Sequence, residues 1–231
     1  MEKIRNVFVW VFSRYPEERE KTSQTEKLID SMRITSKCRF NASNRLSLRS
    51  KTSFFITTIL SLGLILIPLL QNSGVKLNFT ASVLNMLQIF LAVSVLIYSV
   101  TIGTARYDLR SRELDECGQK IKRLIRDVRT LNEKNPEQTK IDLDKINTEY
   151  NQVLKESENH SRSDYKLSKL EMTGDYNITG LKRLFLLFTA LVQCYFPYLL
   201  PAIFLGAEII FITDMLSITE ILSPFLNAEI K

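Results

Sequence analysis

The sequence predicts an all-α membrane protein: a transmembrane helical hairpin, a cytosolic antiparallel helical hairpin and a third transmembrane helix. Three observations carry this. Between Lys51 and Arg106 lie 54 residues of which only Lys76 is charged. Leu184–Ile212 is a 29-residue stretch whose only charge is Glu208. Between these apolar stretches, residues 104–183 hold 17 basic and 15 acidic side chains with apolar residues at helical spacing. The expected organisation is a cytosolic basic helical segment at 1–52, a transmembrane hairpin at 53–105, a cytosolic helical hairpin at 106–178, and a third transmembrane segment with a short outer tail at 179–231.

The N-terminal segment is polar and basic; residues 1–53 hold 12 basic and 6 acidic side chains. Val7, Phe8, Trp10, Val11 and Phe12 form a short aromatic patch that rests either on lipid headgroups or on another cytosolic helix. Pro16 breaks the first helix, and Glu26 to Phe40 forms a second. No cleavable signal peptide is expected, because Val7–Phe12 is too short and Arg14 follows it.

Two apolar runs come next, Phe54–Leu70 and Phe79–Gly103, joined by Gln71-Asn72-Ser73-Gly74. About 20 apolar residues at 1.5 Å rise cross a hydrocarbon core of roughly 30 Å. A soluble helix would show charge on its wet face, and these runs have no wet face. Arg39, Arg45, Arg49 and Lys51 precede the first run, and Arg106, Arg110 and Arg112 follow the second. Positive charge marks the cytoplasmic side, so both ends of the hairpin are expected there. The basic residues flank spans instead of lining one face, so direct nucleic-acid binding is not expected.

Tyr107 to Asn132 reads as a helix. Leu114, Ile121 and Val128 recur every seven residues, and Cys117, Leu124 and Leu131 fill the other seam position. Asn135-Pro136 ends it. A second helix is expected from about Glu137 to Glu171, with Ile146, Tyr150, Val153, Leu167 and Leu170 on one side. The apolar stripe of this pair needs a partner, from the first segment or from a neighbouring subunit. Thr173-Gly174-Asp175 breaks the helix. Leu184–Ile212 then reads as the third span, with Glu208 expected at the far headgroup level and the acidic tail outside. A pair of re-entrant half-helices kinked at Pro197 and Pro201 is the alternative.

Chemistry is sparse. No Gly-rich phosphate loop, nucleophile elbow or HExxH is present. Cys38, Cys117 and Cys194 stand alone and His160 is the only histidine, so neither a structural zinc site nor any other cofactor is expected. The best constellation is Glu156-x-x-x-His160-x-x-x-Asp164, three groups expected on one helical face with Asn159 and Tyr165 beside them. It reads as ion pairing with a packed neighbour in preference to a catalytic or metal site, so the chain is not expected to be an enzyme. Within the spans, Thr57 and Ser61 fall with Ser53 on one stripe of the first. Asn85, Gln88, Ala92, Ser99 and Gly103 fall near one stripe of the second. These polar groups serve either as interhelical hydrogen-bond glue or as the lining of a water path, and a conducting path requires a homo-oligomer.

Arg39-Phe-Asn-Ala-Ser-Asn-Arg45-Leu before the first run, Leu87-Gln88-Ile89 in the second, Glu149-Tyr150, and Glu158-Asn159-His160-Ser-Arg-Ser-Asp164-Tyr165 follow one another in an order that resembles the SLATT group. These are two-transmembrane effector domains of bacterial conflict systems. The resemblance covers about residues 30–170, and the third span and tail are similar to the subfamily with a C-terminal extension. It implies a multi-pass protein of the bacterial inner membrane with a cytoplasmic N-terminus, which permeabilises that membrane when triggered. It implies as partners the lipid bilayer, further copies of the chain, and a cytosolic nucleotide-signal synthase or sensor or a reverse transcriptase. Arg39, Arg45, Asn159, His160, Asp164 and Tyr165 become candidates for coupling cytosol to membrane. A non-conducting adaptor that anchors such a partner is the alternative expectation.

Overall fold

The computed structural model describes residues 10–13, 16–18, 23–135, 137 and 142–226. It is all-helical with no strand among the described residues, and an isolated bridge joins Glu18 to Tyr176. The helices are α1 (Gln24–Asn72), α2 (Ala81–Ala105), α3 (Tyr107–Lys134), α4 (Leu143–Lys155), α5 (Arg162–Glu171), α6 (Gly180–Tyr195), α7 (Leu199–Met215) and the single turn α8 (Ser223–Leu226). Among the described residues three helical runs are long and apolar enough to cross a membrane: Gln24–Asn72, Ala81–Lys134 and Gly180–Met215. The chain divides into two compact units. One joins Met1–Ser47 to Asp108–Phe196, and the other joins Leu48–Tyr107 to Pro197–Lys231.

Helix α1 differs from the two separate helices that the sequence suggested. It runs unbroken for 49 residues, because residues 41–53 contain neither Gly nor Pro to stop it. Pro68 sits inside its last turns, and the Asn72 side chain caps the Pro68 carbonyl at 2.8 Å.

In the polar unit the α3 seam is buried as its seven-residue period predicts. Leu114, Cys117, Ile121, Leu124 and Val128 are all buried, while Leu131 is exposed. The partner the stripe needed is the N-terminal half of α1. Met32 of α1, Ile121 and Val128 of α3, and Ile146 and Tyr150 of α4 form one core. Fully burying each such aliphatic side chain contributes about 2 kcal/mol. Tyr150 donates from its hydroxyl to Thr35 Oγ1 at 2.8 Å, which satisfies its polar end. Val7 and Phe8 lie outside the described residues. Trp10 and Phe12 are exposed, and the main chain there packs on the loop after α5. Thr179 Oγ1 donates to the Trp10 carbonyl at 2.6 Å, and Gly180 takes φ +53° where the Val11 backbone crosses it.

The apolar unit is built from the C-terminal half of α1, α2 and α7. Ile67, Leu84, Leu91, Phe211 and Met215 are its core, with Phe79 stacked on Phe211 at a centroid distance of 4.8 Å. The single long span expected at Leu184–Ile212 is interrupted: Phe196–Tyr198 is a 3-10 turn around Pro197. Helix α6 packs on α5 in the polar unit, where Lys166 Nζ donates to Thr189 Oγ1 at 3.1 Å. Only α7 packs in the apolar unit. Its 17 residues span about 26 Å, near the short limit for a bilayer. Pro201 falls in the first turn of α7, where its missing N–H costs nothing.

Candidate functional site

The segment 156–164 is where the structure departs most from the expected continuous helix. Helix α4 ends at Lys155 and α5 starts at Arg162. Glu156, His160 and Asp164 therefore do not share one helical face. The cause is a capping box. Ser161 accepts from the Asp164 N–H at 3.4 Å, and the Asp164 carboxylate accepts from the Ser161 N–H at 2.8 Å. Asn159 tightens the turn by accepting from the His160 N–H at 2.9 Å.

This turn carries an ionic knot. Asp164 is fully buried, and Arg45 from α1 grips it with both arms of its guanidinium, Nε to Oδ1 and Nη2 to Oδ2, each at 2.9 Å. Ser161 Oγ adds a donor at 2.7 Å. Burial pushes the Asp164 carboxyl up, but the Arg45 fork and the Ser161 donors outweigh it and hold the group below the usual carboxylate range. Burial likewise opposes the charge on Arg45, and Asp164 more than restores it. Such a bidentate pair fixes orientation as well as charge.

Arg39, one α-helical turn and a half earlier, is buried and donates to the Glu158 carbonyl. The Glu158 side chain accepts from Arg110 of α3, Nε at 2.9 Å. His160 Nδ1 is buried without a hydrogen-bond partner among the described residues. Burial, and then the nearby Arg39, hold the imidazole below its ordinary value, with Asp164 opposing. Its ring lies 6.3 Å from the exposed ring of Tyr165. Arg39, Arg45, His160 and Asp164 are thus brought together, whereas Glu156 pairs elsewhere with Lys120 and Asn159 is exposed. Glu158, Arg110 and Ser161 were missed from sequence. Ser161-x-x-Asp164 was the signal for the cap. Among the described residues no cluster of His, Cys, Asp and Glu is placed to hold a metal ion.

In the apolar unit the polar positions behave differently from one another. Thr57 and Ser61 donate to their own helix, to the carbonyls of Ser53 and Thr57 at 2.8 Å. Asn85, Ala92, Ser99 and Gly103 are exposed on α2, and Gln88 is half-buried. Asn85 meets only Gln71, at 3.4 Å. Leu84 and Leu91, about a quarter-turn round the helix from Asn85 and Ser99, are packed.

Glu208 is the unforeseen feature. It does not meet the far end of the first apolar run. Its carboxyl fills the notch left by Gly63, which lies at the middle of the Phe54–Leu70 run; a Cβ on Gly63 would lie 2.6 Å from the Glu208 Cδ. Glu208 is buried, and both carboxyl oxygens lack a hydrogen-bond partner among the described residues. Asp214, one and a half turns further, closes the end of α7. It is fully buried and accepts from the backbone N–H groups of Ile221 and Ser223 at 3.0 Å, and from Leu222 and Thr219.

No curated protein and no solved structure matches the chain. The family model for the SMODS and SLOG-associating 2TM effector domain family 5 matches residues 21–213, which takes in most of both units and nearly all of α7, beyond the stretch that carried the resemblance. The apolar hairpin, the α1–α3–α4 core and the Arg45–Asp164 knot all fall inside that match, and the chain belongs to family 5 of the SMODS and SLOG-associating 2TM effector domains.

Proposed function

We propose that this chain is the membrane effector of a bacterial antiviral defence system, assembling into a homo-oligomeric pore that permeabilises the inner membrane when triggered. Its family is associated with bacterial conflict systems, which supports the setting. The observation that carries the pore is the outward polar stripe of α2. Asn85, Ser99 and Gly103 are exposed on a single chain, about a quarter-turn round α2 from the packed Leu84 and Leu91. Asn85 has only a long contact from Gln71 among the described residues, and in hydrocarbon an amide so weakly satisfied is costly, so this face calls for either water or another subunit. A ring of α2 helices supplies both. The buried Glu208 adds to this, because ionisable groups at membrane depth mark ion pathways.

In this reading residues 1–52 and 106–178 are cytosolic, as the flanking arginines argue. Arg39, Arg45, His160 and Asp164 transmit the trigger through the turn at 156–161. A trigger shifts the closed–open balance only by binding the open form more tightly. The test is expression with a membrane-potential dye, together with chemical crosslinking. The expected result is triggered loss of potential and a homo-oligomeric ladder, both reduced in a variant carrying Asn85→Leu, Gln88→Leu and Ser99→Leu. Potential that holds while cells die, with a monomer crosslinked to a different protein, establishes the adaptor reading instead.

A further inference from the structure

Within the apolar unit lies a cavity of about 430 Å³ between α1, α2 and α7. Its lining is mixed in chemistry. Arg49, Ser53 and Thr101 bring polar groups to it, and Ile97, Leu200 and Phe204 give it apolar walls. From Thr101 to Ser94, which also lines it, the cavity follows α2 for seven residues, about 10 Å. The Arg49 Nε is buried without a hydrogen-bond partner among the described residues. Ser53 Oγ accepts from Tyr98 at 3.4 Å, so its own proton is available to donate. The hydroxyl of Thr101 is spent on the Ile97 carbonyl at 2.8 Å.

The geometry points to a binding site for one phospholipid with an anionic headgroup, its phosphate on Arg49 and Ser53 and an acyl chain against Ile97, Leu200 and Phe204. A free phosphate would satisfy the guanidinium but leave the apolar walls uncovered. A neutral lipid would fill the walls but leave Arg49 without a counter-charge. Basic pockets between membrane helices at the positively charged side take such headgroups. This site does not depend on the pore reading, since it requires only that the unit sits in lipid.

The test uses the full chain in neutral detergent, with thermal melting followed on addition of dioleoylphosphatidylglycerol, dioleoylphosphatidylcholine or inorganic phosphate. Phosphatidylglycerol is expected to raise the melting temperature, and the other two to leave it in place. Arg49→Gln is expected to weaken phosphatidylglycerol about fivefold, the effect of one basic residue at an anionic surface. Arg126→Gln in the polar unit is expected to change nothing. Leu200→Trp, which closes the apolar wall, is expected to abolish the shift, and it replaces Arg49→Gln if that variant does not fold. Equal shifts with both lipids, a shift with phosphate alone, or equal losses in Arg49→Gln and Arg126→Gln each overturn the assignment.

Discussion

Removing Asp164 tests the ionic knot most directly. Asp164→Ala strips the carboxylate from beneath a guanidinium whose side chain is only 14% exposed, and it removes half of the capping box. Breaking a buried ion pair from one side costs about 3–5 kcal/mol, because the remaining charge is stranded. The cap alone is worth about 1 kcal/mol. The two losses overlap, so the combined cost is about 4 kcal/mol. For a chain of this size that lowers the melting temperature by about 8–16 °C. The assay is thermal melting of the full chain in detergent, followed by circular dichroism. The companion is the double variant Arg45→Met, Asp164→Leu, which removes both charges and is expected to melt well above either single variant. If the two single losses simply add in the double variant, Arg45 and Asp164 are not coupled, and the account of the turn fails. The same pair sets an acid limit. The folded pKa of Asp164 lies below the usual carboxylate range. Its contribution is therefore full above about pH 4 and is lost as pH falls through the lower, folded value.

Four further outcomes are expected. Gly63→Ala drives a methyl into the Glu208 carboxyl and should cost about 1–3 kcal/mol, with Gly63→Ala, Glu208→Ala recovering most of it in the same melting assay. Asp214→Ala leaves the backbone donors of residues 221–223 without their acceptor, about 2 kcal/mol, and limited proteolysis should then cut at 216–223 where the wild type resists. Thr57→Val and Ser61→Ala, whose hydroxyls serve their own helix, should each move stability by less than about 0.5 kcal/mol. Cys38 is buried, and burial pushes its thiol up to about 11. It should resist maleimide in the folded protein and react once the chain is unfolded, as mass spectrometry of the labelled peptides will show.

What the sequence revealed depended on how local the cause was. The apolar runs and the α3 seam are periodic, so Leu114, Ile121 and Val128 announced their own burial. The break between α4 and α5 was hidden because the apolar pattern continues through it, from Tyr150 and Val153 to Leu167 and Leu170. Only Ser161-x-x-Asp164 marks a new helix start. The continuity of α1 was signalled by something missing, a breaker in residues 41–53. Arg45 and Asp164 are 119 residues apart, and Gly63 meets Glu208 from a different apolar run. No window of sequence contains such pairings; packing creates them. The interruption at Pro197 was among the alternatives, but the division of α6 and α7 between two units was not, although Lys182, Arg183, Thr189 and Gln193 make α6 the more polar of the two.

The bare polar row on α2 has a consequence for dosage. If Asn85 and Ser99 are sheltered only by neighbouring copies, crowding in the plane of the lipid governs assembly. Mass action raises the abundance of an n-membered ring as roughly the nth power of that of lone chains. A modest rise in synthesis would then separate harmless dispersal from lethal clustering. Such a cell would sit beneath a steep threshold, and diluting the protein with extra lipid would disarm it without touching any residue.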